Sequence, residues 1–350
     1  MKVKVLNKHE VKASLNMISV LEKVEEVYCL KARQKAGLWP LIFHEFQPEI
    51  ADMDIKSGYI NEYDVYGLKV VSWFSENRDK NLPMLFGTTL MFDMKTGAPI
   101  GILDAEHVTG MRTGAAGAIG AKFLARARSE DLLIVGTGHQ AAFQIAATLI
   151  AMQNIKRVRI CNPRNAEQGV KFVSTIKDIL NLEFLSSFQA DDEVYDRIKA
   201  KFEVQFIAEP SLEKAVSQSD IIITVTPSRK PLIMKSWLKE GVHISCMGSD
   251  LQGKQEIESC ILKDAKIFVD DMAQAINVGE LEIALKTGTI SEDNIMGEIG
   301  ELILSEKVGR TNDSEITIFD STGIALQDLI VSKLAIDIAK EKNIGQEVDL

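Results

Sequence analysis

The sequence predicts an α/β protein of two domains, one built on a parallel sheet and inserted into a second, strand-rich one. Three observations carry this. The chain has 350 residues, long for a single core. Residues 131–164, DLLIVGTGHQAAFQIAATLIAMQNIKRVRICNPR, read as strand, glycine turn, helix and strand. After them, strand candidates at 221–225, 243–247, 266–269 and 316–319 alternate with helical stretches, as in a parallel sheet. The expected division is 126–320 for the parallel domain and 1–125 completed by 321–350 for the other.

Bulk properties narrow the class. The hydrophobic share of 46% and aromatic share of 6% are those of a globular protein. The formal charge of −10 argues against a nucleic-acid surface and suits a soluble, cytoplasmic protein. The start, MKVKVLNKHEVK, lacks the apolar run of a secretory signal. The most apolar window, 141–152, contains Gln144 and is too short to span a bilayer, so no membrane partner is expected. Cys29, Cys161, Cys246 and Cys260 form no CxxC pair and have no histidine at ligand spacing. Reduced thiols and no metal site are the expectation.

In chain order, residues 14–36 read as an amphipathic helix with Ser14 as N-cap and Leu15, Ile18, Leu21, Val24 and Tyr28 on one side. Residues 51–103 read as strands, with Lys95-Thr96-Gly97 turning between two apolar runs as in a hairpin. Residues 106–127 read as a helix carrying Gly110, Gly114, Gly117 and Gly120. Each glycine costs a helix about 1 kcal/mol relative to alanine, so this face is expected to meet a close neighbour. Residues 327–342 read as the last amphipathic helix.

The glycine turn at 136–141 has the form G-x-G-x-x-A. Gly136 permits the tight turn, Gly138 lets a pyrophosphate approach the backbone, and Ala141 lets helix and strand pack closely. Thr137, His139 and Gln140 complete a turn whose helix offers unsatisfied N–H groups to phosphates. This is the Rossmann pattern in its proper strand–turn–helix context, and it implies a bound dinucleotide. The second strand closes at Asn162, where NAD-preferring proteins usually carry a carboxylate, and Arg164 follows. NADP is therefore slightly favoured over NAD.

Five further groups carry candidate chemistry. Lys69 interrupts the apolar strand YGLKVVSWF; it is either buried, with a lowered pKa useful for acid/base work, or at a strand edge facing water. Arg112 among glycines and alanines suits a bidentate carboxylate contact or a structural salt bridge. Met247 and Gly248 end one strand, and Asp250 beyond them is placed as a general acid/base or a turn former. Thr224, Val225 and Thr226 end another strand and line the dinucleotide. Ser321, Thr322 and Gly323 end the last, with hydroxyls suited to a nicotinamide carboxamide.

Taken in order, LKVVSWF, FD-x-x-TG-x-P, TGMRTGAAGAIGAKFLA, VGTGHQA, GSDLQGKQE and FDSTG-x-A-x-QD resemble the ornithine cyclodeaminase/mu-crystallin family from about Asp52 to Asp328. The resemblance implies a Rossmann domain plus a discontinuous α+β domain that binds substrate and forms a homodimer. It implies that Lys69 and Arg112 hold a substrate carboxylate, Thr113 and the 136–141 loop meet the pyrophosphate, and Asp250 is the acid/base. Two departures matter. Many relatives carry an arginine near WPLIFHEF, where this chain has Ile42 and His44. Ornithine-cyclising members place a glutamate thirteen residues before the strand lysine; here Lys56 stands there and would repel a distal ammonium.

The expected activity is NAD(P)-dependent oxidoreduction of a small amino or imino acid. The alternatives are a cyclodeaminase that recycles its cofactor, and a dinucleotide-dependent binding protein without turnover.

Overall fold

The computed structural model describes residues 2–48, 50–189 and 193–350. Two compact units emerge: Met1–Arg112 with Ile324–Leu350, and Thr113–Gly323. The first boundary falls inside helix Glu106–Leu124, not at 125 as the sequence suggested. Packing explains the shift. A Cβ at Gly114 would lie 2.6 Å from the Phe143 carbonyl oxygen, one at Gly117 2.2 Å from Gln144 Oε1, and one at Gly120 2.5 Å from Phe319 Cδ1. The small residues are thus the close-approach face that the sequence anticipated, and they tie residues 113–124 to the second unit.

The first unit is built on a sheet in the order Gln346–Asp349, Lys2–Leu6, Pro99–Asp104, Leu85–Asp93, Val65–Phe74, Ala51–Ile60 and Ala36–Leu38, with Ile42–Gln47 also paired to Ala51–Ile60. The hairpin at Lys95-Thr96-Gly97 joins Leu85–Asp93 to Pro99–Asp104. The strands at both chain ends, and Ala36–Leu38 and Ile42–Gln47, were not anticipated. The first amphipathic helix runs Met17–Ala32, and its cap is Asn16, whose side chain accepts from Ser19 N. Ser14 instead ends a preceding helix, Lys8–Ser14, and donates to Glu10 O. Helix Ala325–Glu341 packs on strands Ala51–Ile60, Val65–Phe74 and Leu85–Asp93 and on helix Met17–Ala32. Val20, Val24, Val27, Leu329 and Ile336 are fully buried in this layer. Each such side chain contributes about 1.5–3 kcal/mol.

The second unit is built on an all-parallel sheet in the order Gln205–Ala208, Arg157–Cys161, Asp131–Val135, Ile221–Thr224, His243–Cys246, Ile316–Asp320, Ala265–Val269 and Ile295–Glu298. The strand order reverses between Asp131–Val135 and Ile221–Thr224. Ligands of open α/β sheets bind beyond the strand ends at such a switch point.

Candidate active site

Each unit carries its own polar centre. In the first, Lys69 projects from strand Val65–Phe74 and is 2% exposed. Its Nζ donates to Asp328 Oδ1 at 2.9 Å and reaches Thr109 Oγ1 at 3.4 Å. Of the two readings, a buried lysine or an edge lysine, the structure takes the buried one. Arg112 donates from Nε to Asp328 Oδ1 at 3.1 Å and from Nη1 to Gln327 Oε1 at 2.9 Å. Gln327 is held in turn by Tyr28, to whose hydroxyl its Nε2 donates. Two sides of the guanidinium are thus fastened, and Nη2 has no protein partner among the described residues.

Lys56 stands directly opposite Lys69 in the antiparallel register, and Thr89 stands opposite Lys69 on the other side. Directly opposed residues share a face, so the three form one row across the sheet. Thr89 is fully buried and its hydroxyl makes no hydrogen bond among the described residues. Burial lowers the Lys69 ammonium to about 8; Asp328 pulls it up, while Arg112 and Lys56 push it down. Burial works to raise the Asp328 carboxyl, but Arg112, Lys69 and Lys56 outweigh it and hold it below the usual range. An isolated ion pair would raise its lysine. Here both partners move down, the lysine chiefly by burial and the aspartate because the neighbouring cations outweigh its burial.

The second unit supplies a cleft of about 490 Å³ lined by Gly136, Thr137, Gly138, Asn162, Arg164, Val225 and Thr226, among others. Gly136 has φ +115°, which only glycine adopts readily. A Cβ on Gly138 would meet nothing within 4 Å, so the backbone faces open space where a phosphate needs it. Helix Gln140–Ala151 begins at that loop. Asn162 Oδ1 accepts from Arg164 N and Asn165 N, and its Nδ2 donates to Thr137 Oγ1. It therefore shapes the turn that presents the exposed Arg164. These groups fit a dinucleotide.

Other expected contacts are placed differently. Thr224 is fully buried within its strand and does not line the cleft. His139 and Gln140 open the helix without lining the cleft. Thr113 is buried, and its carbonyl accepts from Gln144 Nε2. Ser321 Oγ, Thr322 Oγ1 and Gly323 N all donate to the Asp270 carboxylate, so those hydroxyl donors are engaged within the protein. Met247 and Gly248 lie at the end of the strand beside Ile221–Thr224. Gly248 N donates to Glu256 Oε2. Asp250 follows on an exposed loop and pairs with Lys254 at 2.5 Å.

The sequence reading missed Asp328, Gln327 and Thr89 in the first unit and the buried carboxylates Glu256, Asp270, Glu280 and Glu282 in the second. The available signal was a polar residue inside an apolar element, as in IALQDLIV. Among the described residues no cluster is arranged to hold a metal ion, and no helix is long and apolar enough to cross a membrane.

A sequence model described as the ornithine cyclodeaminase/mu-crystallin family matches residues 1–197 and 187–343. Alanine dehydrogenase of Archaeoglobus fulgidus is 36% identical over 99% of this chain and 98% of its own. A solved archaeal alanine dehydrogenase dimer with bound NAD is 35% identical, with a TM-score of 0.88 and 100% of both chains covered. The iminosuccinate reductase of Paracoccus denitrificans, solved with NAD+, is 30% identical, with a TM-score of 0.85 over 100% of both chains.

Proposed function

The chain belongs to the ornithine cyclodeaminase/mu-crystallin family and is an NAD(P)-dependent oxidoreductase of amino or imino acids; from that premise we propose that it interconverts a 2-imino acid and its amino acid, favouring neutral or acidic side chains. The surplus of positive charge in the first unit carries this reading. Lys69 and Arg112 share one carboxylate oxygen, Asp328 Oδ1, two cations on one anion, so the pair is short of an anion. A substrate carboxylate supplies it.

In this reading Arg112 offers Nη2, the nitrogen its protein partners leave over, and Lys69 offers a further ammonium proton. Asp328 and Gln327 fix the approach of both. Lys56 disfavours a distal ammonium: like charges about 4 Å apart cost ~4 kcal/mol at an effective dielectric of 20. Asp250 gives a proton to, or takes one from, the substrate nitrogen. A bound nicotinamide supplies or accepts the hydride at the α-carbon.

Gly136, Thr137 and Gly138 would hold the pyrophosphate, and Val225 and Thr226 the adjoining part of the dinucleotide. Asn162 in place of a carboxylate, with Arg164 on the rim, supports use of NADP(H) as well as NAD(H), with NADP(H) favoured. A homodimer is supported by the sheet of the first unit. Strand Ile42–Gln47 is exposed along its whole length, including Ile42, Phe43 and Phe46, and Leu82, Met84, Leu85 and Phe86 are exposed nearby. A patch of this kind calls for a covering surface, and a second copy of the chain provides one. No disulfide joins the four cysteines, which fits the reducing cytoplasm.

The test is to supply reduced cofactor with a panel of 2-oxo acids plus ammonium and of cyclic imines, and to follow reduced-nicotinamide absorbance. Stoichiometric loss with a neutral or acidic 2-oxo acid is expected. Efficient conversion of ornithine to proline without net absorbance change would replace this reading with cyclodeamination. Tight substrate binding with no turnover of any compound would replace it with a binding role.

A further inference from the structure

The loop after strand His243–Cys246 is fastened to an unusual degree. Gly248 N donates to Glu256 Oε2 at 2.9 Å. Thr226 N and Thr226 Oγ1 each donate to Glu256 Oε1 at 2.7 Å. Ser249 Oγ donates to Glu280 Oε2 at 2.7 Å. Glu280 also accepts from Glu256 N and from Ile257 N, the latter at 2.7 Å. Gly253 N donates to Glu282 Oε2 at 2.7 Å. Glu256 and Glu280 are fully buried, and Glu282 is 3% exposed. There is no spare room: a Cβ on Gly248 would come within 2.2 Å of the Thr226 carbonyl oxygen.

Burying several carboxyls side by side is costly. Burial, and then the neighbouring Glu256, raises Glu280 to about 8. Folding alone would be served as well by apolar residues in these places. What the carboxyls accomplish is specific: each takes a backbone N–H or a hydroxyl from the loop 248–253 or from Thr226 on the cleft wall. Asp250 and Gln252 are the exposed residues between the fastened Ser249 and Gly253, and Asp250 directly follows Ser249.

We infer that Glu280 and Glu256 are positioning residues for the reaction, with Glu256 tying the loop to the Thr226 wall of the dinucleotide cleft and Glu280 fixing Ser249 so that Asp250 is held in place. This rests on the assignment of Asp250 as the proton-moving group. Glu280 touches no cleft-lining residue by hydrogen bond, so its effect belongs to kcat. Glu256 holds Thr226 as well, so its effect divides between kcat and dinucleotide affinity.

The experiment is a double-mutant cycle between Glu280→Gln and Asp250→Asn in the full-length protein, with kcat and dinucleotide Kd measured for every member. Expected are a kcat loss of about tenfold or more for Glu280→Gln, since small misplacements of a reacting group are expensive. Its Kd should stay within about twofold, and the double variant should be no slower than Asp250→Asn alone, because two residues acting as a unit are non-additive. Parental kcat for Glu280→Gln, losses that multiply in full, or a Kd that rises as much as kcat falls would overturn the inference. Should Glu280→Gln not fold, Ser249→Ala removes one link of the clamp and is expected to lower kcat about threefold to tenfold at constant Kd; parental kcat there overturns it too. If Asp250→Asn keeps parental kcat, the proton-moving assignment fails and the inference with it. If Asp250→Asn is impaired while Glu280→Gln is not, the assignment stands and only the clamp fails.

Discussion

The two units bury charge of opposite sign and use it in opposite ways. In the first, Lys69, Arg112 and Lys56 act on Asp328, and both the lysine and the aspartate titrate below their ordinary values. In the second, burial raises Glu256, Asp270, Glu280 and Asp320 alike. The cationic centre has donors to spare: Arg112 Nη2 has no protein partner among the described residues. Glu256, Glu280 and Asp270 are occupied with donors of Thr226, residues 248–257 and loop 321–323. A buried cluster with unspent donors suits recognition of an anion, whereas one whose acceptors are filled by its own loops suits holding geometry.

The largest effect expected from breaking this division falls on Asp250. Asp250→Asn should lower kcat about 10²–10⁴-fold with dinucleotide Kd preserved. A lower melting temperature with activity retained would make it a turn former instead. Lys56→Glu should favour diamino acids over neutral ones by about tenfold or more in kcat/KM, since it replaces a repulsive charge with an attractive one. Unchanged relative activity on ornithine and on a neutral amino acid would show that Lys56 turns away from the substrate. Arg164→Ala should weaken NADP(H) by about tenfold and leave NAD(H) nearly untouched. Affinity of the parent tenfold tighter for NAD(H) would contradict the cofactor preference.

The same contrast was only partly legible in the sequence. The turn at 136–141 was legible because its physics is local: neighbouring residues set the φ of Gly136 and the open backbone at Gly138. Lys69 and Arg112 stood out as single charges in apolar or small-residue surroundings. Their shared partner did not, because Asp328 lies 259 residues from Lys69 along the chain and only the packing of the last helix on the sheet brings it in. Ser14 and Asn16 are both good N-caps, and the break at Leu15 between two helices chose the second. Short strands such as Gln205–Ala208 and Ile295–Glu298 carry too few residues for a period to register, and the latter is bent at Gly297. The carboxylates around loop 248–253 were not legible, because the backbone and hydroxyl donors that hold them come from residues brought together only by folding.

Both centres should weaken as pH rises toward 8, the first in substrate binding and the second in stability. Lys69 must be protonated to hold a carboxylate, so kcat/KM should fall as pH rises through about 8, and Lys56→Gln should move that limb upward by removing a like charge. Burial raises the Glu280 carboxyl to about 8, from an ordinary value of 4.5. Its folded form therefore binds more protons between those values, so this group's contribution to stability is full below about 4.5 and is lost as pH rises toward 8, by roughly 1.4 kcal/mol per unit at most. Melting temperature against pH should show a shallower decline in Glu280→Gln; an unchanged slope would mean the carboxyl is already ionised.

The division of labour itself is tested most directly by titration calorimetry on Lys69→Ala. Dinucleotide should bind with the parental Kd, while the amino acid product should bind the dinucleotide complex about 10–100-fold more weakly, the loss of one charge-assisted bond to a buried anion. A dinucleotide Kd that weakens as much as product binding, or product affinity that survives the substitution, would contradict the assignment of anion recognition to the first unit.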